Sequence, residues 1–375
     1  MKIVINALSA RLGGGQTYLK NLLAYLPEQA DLDILLYVPV NLRLPEDPRI
    51  RRATTFWPTE NPLLRAVWEK FALPRVLRKE KPQILFCPGG IIASDVPDGC
   101  KTVTMFRNMM PFDLTLLRRM AFGLQKIRNW ILKRMMLRSM AAADLTIFIS
   151  EYARGVIEEL IQVKKSVTIP HGINSRFRTA KQVIERPSLL PQDEYLLYVS
   201  RFDVYKHQME VAQAYAQLAA DLRSRYKLLL VGEVDYILSE KVRLFIENKK
   251  LQNSILLLNA IPYNELPNFY RQAKINIFAS SCENCPNILL EALGAGKPVL
   301  SSSVMPMPEF GGGAVEYFDP FDSEDLTKKM TMVLNDESLM EYLGHMAYHR
   351  SLDFEWSVTA MKTWTSMMEL VEELY

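Results

Sequence analysis

The sequence predicts two doubly wound α/β domains, each with a parallel β-sheet covered by helices. In both halves of the chain, short apolar runs rich in β-branched residues alternate with helical segments, a pattern typical of parallel sheets. Periodicity is lost around Pro187 and Pro191, which indicates a linker. We therefore predict an N-terminal domain (1–175), a linker (176–193), a C-terminal domain (194–354) and a final helical segment (355–375).

Length and composition are those of a globular protein. The 375 residues are enough for two domains of ordinary size, and 49% apolar and 23% charged residues argue against disordered and fibrous classes. No run approaches 18 apolar residues, so no membrane-spanning helix is expected. The first residues pass directly into a predicted strand, without a signal peptide, and four cysteines are too few for a disulfide framework. A cytoplasmic location is therefore expected.

The net charge of +3 is unevenly distributed. Residues 1–175 contain 25 Lys and Arg against 15 Asp and Glu, a charge of +10, and the remaining residues carry about −7. Either the first half faces an anionic partner, or the imbalance is the ordinary unevenness of soluble domains.

The first predicted βα unit contains a glycine-rich loop. A strand at 2–8 is followed by Gly13-Gly14-Gly15 and an amphipathic helix from Thr17 to Leu26. Tyr18 occupies the position where a dinucleotide-binding loop has its last glycine, and the strand at 34–38 lacks the acid that would bind a ribose. We expect a loop that lets a ligand approach the backbone, rather than an NAD site.

Further strands and helices continue the alternation. Ser150 is predicted to cap a helix that carries Glu151 in its first turn. The other predicted strands are 84–87, 102–106, 145–149, 167–169, 195–199, 227–231, 255–258 and 275–279, and the predicted helices of the second half are 208–220, 241–247, 267–272 and several after 323.

The segment 114–140 contains seven basic residues and no acid, interleaved with Leu, Ile, Met and Trp. A basic amphipathic helix of this composition suits the surface of an anionic membrane. The alternative is a helix that covers the domain and has a solvated basic face. No nucleic-acid recognition module accompanies the charge, so we expect no nucleic-acid partner.

Residues 275–303 concentrate groups suited to an anionic ligand. Glu283 follows the strand at 275–279, Pro286 and Asn287 open a helix, and Glu291 lies on that helix. In open α/β sheets, ligands bind at the carboxyl ends of the strands, and helix N-termini favour phosphate.

Two cations are predicted at the same edge. Arg201 and Lys206, in the segment SRFDVYK, follow the first strand of the second domain. A guanidinium forks onto phosphate oxygens and an ammonium acts as a point charge, so the pair suits a diphosphate. A surface Arg and Lys without a role is the alternative when the segment is considered alone.

Together these motifs resemble the retaining GT-B glycosyltransferases of family 4 (group 1). The resemblance rests on the pair Glu283 and Glu291 at E-x7-E spacing, on SRFDVYK, and on PHGI at 170–173. The runs LPNFYRQAKINIFASS and PMPEFGGGAVEYFDP extend it through the second domain, and Ser150-Glu151-Tyr152 with the glycine loop extends it into the first.

The resemblance implies a GT-B fold, with two Rossmann-like domains facing a cleft and a final helix that crosses back to the first domain. It implies retaining transfer of a hexose-type sugar from a nucleotide-diphosphate donor to a glycan or lipid-linked acceptor, in cell-surface polysaccharide biosynthesis. No metal ion or cofactor is implied, and the donor is expected to be a UDP- or GDP-sugar. The acceptor and the oligomeric state are left open.

The resemblance also assigns roles to residues. Arg201 and Lys206 would neutralise the donor diphosphate, and Glu283 would hold hydroxyls of the transferred sugar. Glu291 would bind the ribose. The remaining expected donor contacts are the backbone at Pro286, Asn287 and Ile288, together with Gly14, Gly15 and His171; the glycines could equally border the acceptor, and His171 could simply cap a loop.

The sequence departs from the family pattern in three places. Arg107-Asn108 stands where a His often follows a strand of the first domain, so either Arg107 or Asn108 substitutes for that contact or the contact is dispensable. Asn284-Cys285 follows Glu283 where Gly and an aromatic residue are common, which leaves the donor sugar open. Cys282 and Cys285 form a C-x2-C pair, but further ligands at metal-site spacing are missing.

Two other function classes fit part of the pattern. A nucleotide-sugar epimerase or a phosphorylase of similar two-domain build would share the fold, and a non-catalytic nucleotide-sugar-binding protein would share the donor site. The E-x7-E pair with SRFDVYK favours the transferase over the other enzymes.

Overall fold

The computed structural model describes residues 1–11, 13–28, 30–55, 57, 59–119, 123–178, 190–233 and 236–373. The chain divides into two compact units: unit 1 is Met1–Gly172 with Trp356–Tyr375, and unit 2 is Ile173–Glu355. Each unit contains a parallel sheet with crossover helices, so the predicted doubly wound α/β fold class is confirmed. Of the predicted linker 176–193, residues 179–189 lie outside the described residues.

The sheet of unit 1 consists, in the described part of the chain, of seven parallel strands in the order β3-β2-β1-β4-β5-β6-β7. β1 lies between β2 and β4, with Val4 opposite Leu35 on one side and Leu85 on the other. Both faces of the central strands are buried, which explains their continuous apolar runs. The strands are β1 (Lys2–Asn6), β2 (Asp33–Tyr37), β3 (Ile50–Ala53), β4 (Ile84–Cys87), β5 (Lys101–Phe106), β6 (Leu145–Phe148) and β7 (Ser166–Thr168).

Local capping sets where several helices of unit 1 begin. Asn61 Oδ1 accepts from Leu63 N at 2.9 Å just before Pro62 starts a helix, and the predicted cap Ser150 accepts from Ala153 N at 3.1 Å. These bonds satisfy backbone donors that a helix N-terminus leaves open. The helices are α1 (Gly14–Ala24), α2 (Pro62–Phe71), α3 (Leu73–Glu80), α4 (Leu114–Arg119), α5 (Leu124–Ala142) and α6 (Glu151–Glu158).

Unit 2 repeats the architecture. Its described strands form a six-stranded parallel sheet in the order β10-β9-β8-β11-β12-β13. The strands are β8 (Glu194–Val199), β9 (Tyr226–Val231), β10 (Ile255–Leu258), β11 (Ile275–Phe278), β12 (Val299–Ser302) and β13 (Glu316–Phe318). The helices are α7 (Gln208–Gln217), α8 (Ala220–Arg225), α9 (Tyr236–Asn248), α10 (Leu266–Gln272), α11 (Asn287–Gly294), α12 (Met307–Gly311), α13 (Ser323–Leu334) and α14 (Glu337–Ser351).

The last helix, α15 (Trp356–Glu372), belongs to unit 1. The indole of Trp364 donates to the carbonyl of Leu22 in α1 at 3.1 Å. The hydroxyl oxygens of Tyr18 in α1 and Thr363 lie 3.4 Å apart. The C-terminal helix is therefore packed into unit 1 through its contacts with α1, although unit 2 precedes it in the chain.

Two glycines permit close approaches in unit 2. A Cβ at Gly232, after β9, would lie 2.0 Å from the carbonyl oxygen of Ser200, and one at Gly294 would lie 2.9 Å from Ile173 Cδ1. Real Cβ atoms do not approach other atoms so closely, so any larger residue would displace the neighbouring backbone or side chain. Gly232 thus allows the end of β9 to pack against the segment that carries Arg201.

Some predicted boundaries were wrong. The helix predicted from Thr17 to Leu26 begins at Gly14 and ends at Ala24, so Gly14 and Gly15 lie in its first turn rather than in a loop. The helix predicted over 208–220 is divided into α7 and α8. Strand β3 escaped prediction because its centre is Arg51-Arg52, whose charges are tolerated at a sheet edge.

The segment 114–140 does not form one amphipathic helix. It is divided into α4 and α5, and residues 120–122 lie outside the described part. In the first half of α5 the apolar residues Leu124, Ile127, Trp130 and Ile131 are exposed. Met136 and Met140, in its second half, are buried because this end packs on the sheet. The apolar residues therefore do not share one face.

No helix in the described ranges is both long enough and apolar enough to cross a membrane.

Candidate active site

The candidate site of unit 2 lies where two neighbouring strands end. β8 pairs directly with β11, with Leu196 opposite Ile275. The segments that leave the carboxyl ends of these strands therefore start side by side. The first carries Arg201 and a short 3-10 turn, Val204–Lys206, and the second carries Glu283 and leads into α11.

The structure brings Lys206 and Glu283 together. The Lys206 ammonium donates to Glu283 Oε1, and the two side chains are only 7% and 17% exposed. The ammonium also lies 5.1 Å from the ring centroid of Tyr205 and 5.6 Å from that of Phe278. Burying two charges is costly unless they are paired. Lys206 therefore needs a negative partner and Glu283 a positive one, which either the other residue or a ligand provides.

Hydrogen bonds between the two segments fix this pair. Ser281 N donates to the carbonyl of Tyr205 at 2.8 Å, and the buried Tyr198 hydroxyl donates to the carbonyl of Lys206 at 2.5 Å. The turn that carries Lys206 is therefore held both from the strand beneath it and from the segment that carries Glu283.

Arg201 lies at the same edge but has a different partner. Its guanidinium donates to Asp203 Oδ2 at 2.7 Å, which raises the pKa of Arg201, and 61% of its side chain is exposed. Its backbone is fixed by Gln208 Nε2, which donates to the Arg201 carbonyl at 2.8 Å. The arginine thus presents an exposed cation beside a buried one, and Asp203 is a contact that the motif did not indicate.

The N-terminus of α11 corrects one expectation. Pro286 has no N–H group, so its backbone cannot donate to a phosphate, and Asn287 N donates to the Cys285 carbonyl at 3.0 Å. Ile288, the third residue predicted as a backbone donor, lies in the first turn of α11, where a helix leaves N–H groups without intrahelical partners. The helix dipole still favours an anion at this end.

Glu291 lies on α11 and is buried. The Tyr263 hydroxyl donates to Glu291 Oε1 at 2.9 Å, and burial raises the pKa of Glu291 to about 8. Burial thus favours the protonated form of this carboxyl group. No sequence motif indicated Tyr263, which lies in the loop before α10.

Two cysteines lie on either side of Glu283 and Asn284, at the start of the E-x7-E motif. Cys282 and Cys285 are buried and are not joined by a disulfide, and Asn284 between them is buried as well. Within the described residues no group of three or more His, Cys, Asp or Glu side chains could hold a metal ion.

The predicted site residues of unit 1 meet around Tyr18. The Arg107 guanidinium lies 5.7 Å from the ring centroid of Tyr18, and a Cβ at Gly15 would lie 3.3 Å from Arg107 Nη1. A side chain at position 15 would therefore crowd this guanidinium. Asn108 turns towards its own loop, since its Oδ1 accepts from Met110 N at 3.2 Å. Gly14 precedes Gly15 in the first turn of α1.

His171 is packed rather than presented to a ligand. It is 2% exposed, and its ring centroid lies 5.4 Å from that of Tyr18 and 5.3 Å from that of Trp356, which are themselves 6.3 Å apart. The observed role of His171 is thus to join α1 and α15 in the core of unit 1. The loop cap and the donor contact considered from the sequence both stay predictions.

Comparison with known proteins identifies the family. Residues 12–177 match the model of Glycosyltransferase Family 4, and residues 181–350 match that of Glycosyl transferases group 1. The serotype-specific mannosyltransferase WbdA of Escherichia coli is 26% identical over 278 residues, which are 72% of this chain and 33% of WbdA. The O-antigen chain mannosyltransferase B of Escherichia coli is 26% identical over 231 residues, 60% of each chain. The chain thus spans about a third of the length of WbdA.

Solved structures share the fold. Sucrose-phosphate synthase from Thermosynechococcus elongatus has a TM-score of 0.74 and 17% identity, with 99% of each chain covered. Anabaena HepE in complex with UDP and glucose has a TM-score of 0.72 and 15% identity, with 98% of this chain and 100% of HepE covered. These likenesses show the GT-B fold of two Rossmann-like domains. The two family models together cover most of the residues, and the chain belongs to the group 1, family 4 glycosyltransferases.

Proposed function

We propose that this chain transfers a hexose-type sugar from a nucleotide-diphosphate donor to a glycan or lipid-linked acceptor, in polysaccharide biosynthesis. The observation that carries the proposal is the buried Lys206–Glu283 pair at the carboxyl edge of the unit 2 sheet, beside Arg201 and the N-terminus of α11. The names of the relatives, which are mannosyltransferases of bacterial O-antigen, support a glycan product. The UDP bound to HepE supports a nucleotide donor.

In the proposed site, Lys206 and Arg201 hold the donor diphosphate. Negative charge builds up on the phosphate as the sugar leaves, and two fixed cations in a partly dry site stabilise it more strongly than water would. These cations supply the neutralisation that a divalent metal would otherwise give, and we propose a metal-independent reaction without a cofactor. The N–H of Ile288 and the dipole of α11 add to the same effect.

The two carboxyl groups have separate proposed roles. Glu283, held by Lys206, accepts hydrogen bonds from hydroxyls of the transferred sugar. Glu291 accepts from the ribose hydroxyls, and Tyr263, which already bonds its carboxyl group, orients it. Lys206 would then lie between the sugar-binding carboxylate and the diphosphate, so that one ammonium links both parts of the donor.

The proposed reaction retains the anomeric configuration. The bond between the anomeric carbon and the diphosphate oxygen breaks, and the bond to the acceptor oxygen forms on the same face. The acceptor hydroxyl gives its proton to the leaving phosphate oxygen, so the reaction needs no separate protein base.

We also propose that unit 1 binds an anionic membrane surface through the segment 114–140, as a peripheral protein on the cytoplasmic side. Its described residues carry no acid. Leu124 is 87% exposed, and Trp130 and Ile131 are exposed beside it. The Arg134 guanidinium lies 4.1 Å from the ring centroid of Trp130. Such a combination of apolar, aromatic and basic groups suits the boundary between headgroups and acyl chains.

A donor screen tests the proposal. We expect one or more of the UDP-, GDP-, ADP- and dTDP-sugars to raise the melting temperature of the protein and to be slowly hydrolysed without an acceptor. Stabilisation without turnover in any acceptor mixture would favour the non-catalytic binding protein. Interconversion of two donor sugars without release of nucleotide would favour the epimerase. If no nucleotide sugar shifts the melting temperature, the donor site is wrongly assigned.

A further inference from the structure

His207, the residue after Lys206, has an unusual backbone conformation. Its φ of 53° and ψ of 35° lie in the left-handed region, which is costly for residues with a Cβ. Among the described residues, the other non-glycine residues with positive φ are Lys81 and Lys250. Both are exposed and follow helices, where this conformation is common. His207 instead precedes α7 and is 3% exposed.

The His207 ring is engaged on three sides. Nε2 lies 2.8 Å from Ser281 Oγ, and Nδ1 lies 3.4 Å from Glu210 Oε1 on α7 without a hydrogen bond. The ring meets that of Phe321 edge-on, with 4.8 Å between centroids. The side chain thus joins the turn after β8 to the segment after β11, to the first turn of α7 and to the loop before α13.

These contacts adjoin both members of the ion pair. Lys206 immediately precedes His207, and Ser281 lies two residues before Glu283. The Ser281 hydroxyl lies within hydrogen-bond distance of His207 Nε2, and the Ser281 N–H donates to the Tyr205 carbonyl. A glycine at position 207 would adopt the backbone conformation without strain, but it would leave Ser281 and Glu210 without the ring.

We infer that His207 is a positioning residue that fixes Lys206 against Glu283 before the donor binds. The strained backbone is kept because the imidazole ring, which glycine lacks, ties the two strand-end segments together. This inference rests on the proposed function of the site. It goes beyond it by assigning the geometry of the Lys206–Glu283 pair to a residue outside that pair.

Hydrogen exchange tests the positioning without any donor. The amides of Lys206 and Ser281 donate to the carbonyls of Asp203 and Tyr205, so they report on the two segments. In His207→Ala and His207→Gly we expect both amides to exchange at least about tenfold faster, and His207→Gln, whose longer side chain places its amide near the position of Nε2 beside Ser281, to restore part of the protection. Lys250→Gly is the matched control, because it also removes a left-handed side chain but lies far from these segments in the sequence. Wild-type exchange in His207→Ala would overturn the inference, whether or not a donor is known.

Stability and turnover separate the ring from the backbone. Both single variants lose the ring, but glycine relieves the backbone strain, so His207→Gly should melt about 2–4 °C above His207→Ala. If the ring positions Lys206, both variants should lose at least about tenfold in kcat for the donor found by screening, and KM should change less than about threefold. His207→Gln should recover part of the turnover. Wild-type kcat in His207→Gly would overturn the inference and leave the proposed function intact. If the wild-type protein binds no nucleotide sugar, the proposed function is refuted. Hydrogen exchange would still decide the role of His207 in that case.

Discussion

Replacement of Lys206 by methionine provides the sharpest test of the candidate site. Methionine keeps most of the buried aliphatic part of the lysine side chain but removes the charge. Glu283, whose side chain is 17% exposed, is then left without its cation. Removing one partner of a buried ion pair costs about 3–5 kcal/mol. Because Glu283 retains some contact with water, we expect the lower end of this range, about 3 kcal/mol.

The expected change in melting temperature follows from the size of unit 2. For a domain of this size, 1 kcal/mol corresponds to about 2–4 °C, so the transition of unit 2 should fall by roughly 6–12 °C. Turnover of the donor should fall at least about tenfold, equivalent to about 1.4 kcal/mol of transition-state stabilisation.

The double variant Lys206→Met, Glu283→Gln separates stability from activity. With neither charge present, most of the lost stability should return, whereas turnover should stay low because the cation is still missing. A double variant as unstable as Lys206→Met would show that packing, rather than the unpaired charge, explains the loss.

Two readouts distinguish the units. All five tryptophans lie in unit 1 and none in residues 173–355, so tryptophan fluorescence follows unit 1, and calorimetry follows both units. The fluorescence transition should be unchanged in Lys206→Met while the calorimetric transition of unit 2 moves. Wild-type stability or wild-type turnover in Lys206→Met would refute the reasoning about this pair.

Three further predictions concern Arg201, Glu291 and the membrane. Arg201→Ala should change stability by no more than about 0.5 kcal/mol, because the side chain is largely exposed, yet lower turnover about tenfold; equal turnover in the variant would reject its role. Burial raises the pKa of Glu291 to about 8 from 4.5, so the folded chain holds the extra proton between these values and the free energy of unfolding falls as pH rises through that window. Glu291→Gln should flatten this slope in denaturation at pH 5 and pH 8, and an unchanged slope would contradict the assignment. Ile127→Ser with Ile131→Ser should reduce flotation with anionic liposomes at least about tenfold, whereas Ile237→Ser in unit 2, also at an exposed apolar residue, should not. Binding to neutral liposomes, or binding insensitive to salt, would count against the electrostatic account.

The sequence by itself determined the fold class and the edge at which the candidate site lies. Alternation of apolar runs and helical segments is a local pattern, and parallel strands connected by helices place every strand's carboxyl end at one edge. Arg201, Lys206 and Glu283 could therefore be assigned to that edge from their positions after predicted strands. The ends of helices were less predictable, since Gly14 and Gly15 proved to lie within α1.

The partners and the burial of these groups depend on the tertiary structure. Tyr263 bonds Glu291 across 28 residues of chain, and His171 packs against both Tyr18 and Trp356, which are distant in sequence. Burial depends on which elements pack together, and no local pattern encodes that choice. The same holds at the Lys206–Glu283 pair. The sequence predicts two opposite charges at one edge, but their pairing depends on β8 lying beside β11. No motif indicated the His207 ring that joins the two segments.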